Sequence, residues 1–131
     1  MSRYIFEGQF QFRTNAIKVR LLLFYFEDEN RVHFIYSPHL DLSGYGTDFE
    51  SAKKSFEIVF EDFIDYTVRK KTLTRVLTKL GWQMGSGLKP RKRILAPSIT
   101  SIIKDKGYVS DIFNRYSVTT YHQEVGIPVN A

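Results

Sequence analysis

Five carboxylates in the first half of the chain, Asp41, Asp48, Glu50, Glu57 and Glu61, come nearest to a catalytic set. Two-metal phosphodiester cleavage would need three or four of them to converge on a pair of divalent ions. Their spacing suggests other roles. Thr47 stands three residues before Glu50, the interval of a capping box, and Asp48 is an equally suitable helix cap one residue on. Glu57 and Glu61 are four apart on a helix face that reads as opposite its phenylalanines, where they meet water. His33, His39 and His122 show no spacing that makes a ligand pair. His39 beside Asp41 could act as an acid or base, although a lone loop histidine also reads as polar surface. The serines lack the glycine-flanked elbow that exposes a nucleophile. With no cysteine, thiol nucleophiles, thiolate zinc sites and disulfides are excluded. The expectation is a protein that is not an enzyme and carries no metal or cofactor.

Binding chemistry is better represented. Lys89, Arg91, Lys92 and Arg93 form the densest basic cluster, either a solvated turn or a set of phosphate contacts whose affinity would be salt-dependent. Residues 1–66 carry seven lysines and arginines against eleven aspartates and glutamates, whereas residues 67–131 carry twelve against three. An acidic front attracts a basic molecule and a basic rear a polyanion, so the segregation suggests two partners of opposite sign. Tyr36 ends a strand and Tyr45 tips a glycine-flanked loop, positions that make good contact anchors. Trp82 after Gly81 reads as a packing anchor.

The elements that must position these residues follow from periodicity. Alternation over residues 3–13 and again from Ile17 to Phe26 predicts two strands, the second turning fully apolar and so buried on both faces near its end. The polar run Glu27–Asn30 predicts a hairpin into Arg31–Tyr36, with Asn30 as its positive-φ residue. Gly44 and Gly46 predict a tight connection or a close backbone approach. Phe49, Ala52, Phe56, Phe60, Phe63 and Ile64 then fall at intervals of three and four, so the following helix must pack on a sheet. A shorter helix stopped by Gly81, a brief strand pair, a helix opened by Ser98 and ended by Gly107, a further helical turn or two to Tyr116 and an extended tail complete the chain. The expected class is α+β: an antiparallel sheet of three to four strands backed by one long helix, divided into a domain at 1–66 and a basic helical extension at 67–131. The longest apolar run, Leu21–Phe26, is too short to span a bilayer, and the start shows no apolar stretch of signal-peptide length, so a cytoplasmic location is expected.

The stretch YSPHLDLSGYGTDFESAKKSFEIVF resembles the HicB family of antitoxins, with Tyr36, Ser37, Pro38, Asp41, Leu42, Gly44, Asp48 and Ala52 in the family's spaced positions. Ser43 stands where the family commonly has proline. The resemblance covers residues 17–66 and implies a partial ribonuclease-H-like fold that neutralises HicA, a small basic messenger-RNA-cleaving toxin, in a type II toxin-antitoxin system. It also implies a DNA-binding tail that represses the operon. A fainter likeness joins LTKLGWQMGSG to the opening helix of HicA itself, with Gly85, Ser86 and Gly87 where that toxin keeps its catalytic histidine. The toxin contacts expected on this basis are Tyr36, His39, Asp41, Tyr45, Glu57 and Glu61. The rear half would contact operator DNA through Lys89, Arg91, Lys92 and Arg93 or mediate homo-oligomerisation. An orphan nucleic-acid-binding transcriptional regulator without a toxin fits the same residues.

Overall fold

The computed structural model describes residues 16–84 and 94–128. The first expected strand, the Gly85–Gly87 segment and the basic cluster of Lys89, Arg91, Lys92 and Arg93 lie outside the described residues.

Alternating side chains build a twelve-residue strand, β1 (Ala16–Glu27). Leu21 and Leu23 are buried on one face of it and Phe24 and Phe26 on the other, as its apolar end predicts. The chain reverses around Asp28, whose carboxylate accepts the backbone N–H groups of Asn30 and Val32, each at 2.9 Å. That double grip moves the left-handed residue from the expected Asn30 to Arg31, at φ 64°. Strand β2 (His33–Ser37) returns antiparallel, with Phe24 opposite Tyr36 and Phe26 opposite Phe34.

The glycine-bearing connection is itself a strand, β3 (Leu42–Gly46), antiparallel to β2. Gly44 explains how it fits: a Cβ there would lie 2.6 Å from the Cα of Phe56. The strand therefore approaches the helix above it more closely than any residue with a side chain allows. That helix, α1 (Phe49–Arg69), opens on Asp48, which accepts from the Ser51 N–H at 2.8 Å while Ser51 Oγ accepts from the Asp48 N–H at 3.2 Å. The reciprocal box is thus Asp48 with Ser51 and not Thr47 with Glu50, and a carboxylate at this end also suits the helix dipole. Ala52, Phe56, Phe60 and Ile64 are sealed against the sheet; removing either phenylalanine ring would cost about 3–5 kcal/mol.

Helix α2 (Leu73–Lys79) ends at Gly81, whose φ of 97° lets the Trp82 N–H return to the Leu77 carbonyl at 3.0 Å. Strands β4 (Gln83–Met84) and β5 (Ile94–Leu95) form a separate two-stranded ribbon. Helix α3 (Ile99–Asp105) is capped by Ser98, and Lys106 alone separates it from α4 (Gly107–Arg115), so Gly107 opens a helix where it was expected to end one. The extended tail, β6 (Thr119–Pro128), lies antiparallel along β1 from Ala16 to Tyr25.

The main sheet has the order β3-β2-β1-β6. The fold is α+β, a four-stranded antiparallel sheet with a long helix packed on it. One core joins α1, α2 and the ribbon to the Leu21–Leu23 face, and a second joins α3 and α4 to the Phe24–Phe26 face. The boundary expected after Tyr66 falls inside α1, and residues from both sides of it build the same sheet. Among the described residues no helix is long and apolar enough to cross a membrane.

Candidate binding site

Asp41 occupies the tight turn between β2 and β3, at φ 55°, with its N–H donating to the Ser37 carbonyl at 2.8 Å. This geometry points its carboxylate at two tyrosines. Tyr36 donates to Oδ1 at 2.9 Å and Tyr108, from α4, donates to the same oxygen at 2.7 Å. Burial first, then the hydrogen bonds to Tyr108 and Asp41, hold the Tyr36 hydroxyl far above the usual tyrosine range, so it stays a donor. The trio ties α4 to the sheet.

His39, expected on the surface, is buried. The Trp82 indole N–H donates to its carbonyl at 2.8 Å, and Trp82, 2% exposed, is the packing anchor that its place after Gly81 suggests. Burial chiefly, with the charge of His122 adding to it, holds the His39 ring below its ordinary value, against an opposing hydrogen bond to the Pro97 backbone. A sealed ring cannot meet a partner without rearrangement.

The remaining candidates fall on opposite sides of the sheet. Tyr45, 66% exposed, shares the α4 face with Tyr36 and meets Phe34, its cross-strand neighbour, at a tilt of 41°, with ring centroids 6.1 Å apart. Glu57 and Glu61 are half-buried on a flank of α1, not on the outer face first expected, because each follows a buried phenylalanine by one residue, only 100° around the helix. Glu57 lies on the side of β6: after burial, its charge is the next cause lifting the Tyr121 hydroxyl to about 12. Glu61 is itself raised, by burial first and then by Asp65, Asp62 and Glu57. These like charges crowd one surface, beside the exposed Ile58 and Tyr66.

A further recess escaped notice in the sequence. Tyr116, Phe26 and Phe34 stack in file, Phe26 lying 5.0 Å from Tyr116 and 5.4 Å from Phe34, with 18° between planes in each pair. With Tyr108 and Ile112 they wall a cavity of about 320 Å³ between the β1–β2 turn and α4. A shallower recess continues past Glu27, Asp28 and Glu29. Glu29 accepts from the Tyr116 hydroxyl at 2.9 Å and lies 3.5 Å from the Arg115 guanidinium, which sits over the Tyr116 ring. The Glu29 carboxyl is held below its usual range, first by its backbone hydrogen bond and then by Tyr116. The polar run from Glu27 to Asn30 and the parity of Phe26 and Phe34 were visible in the sequence; that α4 docks opposite them was not.

Among the described residues no three histidine, aspartate or glutamate side chains converge where they could share a metal ion. Compared with protein-family models, with curated proteins and with solved structures, the chain matches none.

Proposed function

We propose that this chain is a HicB-like antitoxin that binds and occludes a small basic HicA-like ribonuclease in the cytoplasm. The observation that carries this is the crowding of Glu61, Asp62 and Asp65 on α1, where burial first and then the neighbouring carboxylates raise the Glu61 carboxyl. A cationic partner would relieve that repulsion and accelerate encounter, while Ile58 and Tyr66 on the same helix offer exposed apolar contact. Asp41, Tyr45, Glu57 and Glu61 keep atoms at the surface and remain the contacts of choice, whereas His39 and Tyr36 act from inside by fixing the turn between β2 and β3. The basic rear half would add contact with operator DNA or self-association.

Native co-purification from the source cells, followed by mass spectrometry, tests this. A stoichiometric small basic protein, weakened in its binding by charge reversal at Glu57 and Glu61, is the expected result. Recovery of the chain alone, or with nucleic acid only, would replace the antitoxin by an orphan regulator.

A further inference from the structure

We propose, resting on the basic-partner reading above, that the cleft between the β1–β2 turn and α4 receives an arginine side chain of a basic protein partner. Its walls are the stacked rings of Phe26, Phe34 and Tyr116, with Ile112 beside them. Four carboxylates line the cavity and its continuation, Glu27, Asp28, Glu29 and Asp111, against the single guanidinium of Arg115. An aromatic ring beside carboxylates, as at Tyr116 where Arg115 now lies, favours a planar, weakly hydrated guanidinium over an ammonium. The methylenes of the incoming side chain would lie along the phenylalanines while its head stays at the wet rim.

Arg115 illustrates the chemistry from within the chain. Its guanidinium carbon stands 5.4 Å from the Tyr116 ring centre and its Nη2 3.5 Å from Glu29. Both partners of that ion pair are more than half exposed, so it is weak and readily displaced. Arg115 therefore serves as an internal stand-in that a partner's arginine replaces.

The test uses the full chain, labelled for amide NMR, and a terminally blocked peptide bearing two arginines, beside the same peptide with the neutral isostere citrulline. Saturable shifts at Phe34, Ile112 and Tyr116 with the arginine peptide alone are expected. Glu29→Gln with Asp111→Asn should weaken binding about fivefold, the loss of two exposed ion pairs, and Arg115→Ala, on its own, should tighten it. Shifts confined to the α1 carboxylates, absence of saturation, equal binding of citrulline, or indifference to all these substitutions would overturn the assignment. A basic protein that still co-purifies while the cleft ignores arginine would relocate the contact and spare the antitoxin reading. Arginine binding in the cleft with no such protein recovered would do the reverse.

Discussion

Tyr108 on α4 donates its hydroxyl to Asp41 Oδ1 at 2.7 Å, joining residues 67 positions apart across the rim of the sheet. Because Tyr36 uses the same oxygen from the buried side, Asp41→Ala leaves that hydroxyl only its longer 3.3 Å bond to Tyr108 and strains a left-handed position together. A loss of about 2–3 kcal/mol is expected in urea denaturation. Asp41→Asn keeps an acceptor and tolerates the backbone, so it should cost less than half as much. Equal losses in the two variants would show that the carboxylate charge, and not its geometry, holds the turn.

Gly44→Ala should be among the most damaging small substitutions in the sheet. The added methyl meets the α1 backbone at Phe56, which cannot swing aside as a side-chain tip would. Overpacking of this kind costs about 3 kcal/mol, on the order of a 10 °C fall in melting temperature. A melting temperature within a degree or two of the parent would mean that β3 and α1 separate freely.

His39 gives the fold a pH dependence. Burial keeps its folded-state pKa below the unfolded 6.5, so unfolding takes up a proton as the medium becomes acidic. The stability from the neutral ring is fully present above 6.5 and drains as pH falls towards the folded value. His39→Leu should flatten the decline of the urea midpoint between pH 7 and pH 5, whatever it does to the midpoint at pH 7. Parallel pH profiles for parent and variant would refute this.

The Tyr121 hydroxyl is sealed from solvent and meets no hydrogen-bond partner among the described residues. Tyr121→Phe removes an unsatisfied group from the core and should raise stability by about 1 kcal/mol in thermal or urea unfolding. A clear loss would reveal a partner for that oxygen.

What could be foreseen was local. The alternation of β1, the spacing of the α1 phenylalanines and the helix stop at Gly81 each carry their signal within a few residues, and the structure places them accordingly. Leu42–Gly46 reads as a connection because its two glycines lack strand propensity; only the helix pressing on Gly44 shows why they are required there. His39 looks like a surface residue until Trp82, Pro97 and His122 close over it from distant parts of the chain. The binding cleft is hidden for the same reason, since its two walls come from the β1–β2 turn and from α4.

The pairing of β1 with β6 has a consequence for synthesis. Ala16 faces Pro128 and Tyr25 faces Thr119, so the sheet joins segments roughly a hundred positions apart. At ribosomal rates that interval lasts on the order of ten seconds. Throughout it, Leu21 and Leu23 lack the wall that Val125 and Ile127 later supply. The nascent chain is thus exposed to chaperones and proteases until β6, the last of the described elements, leaves the ribosome.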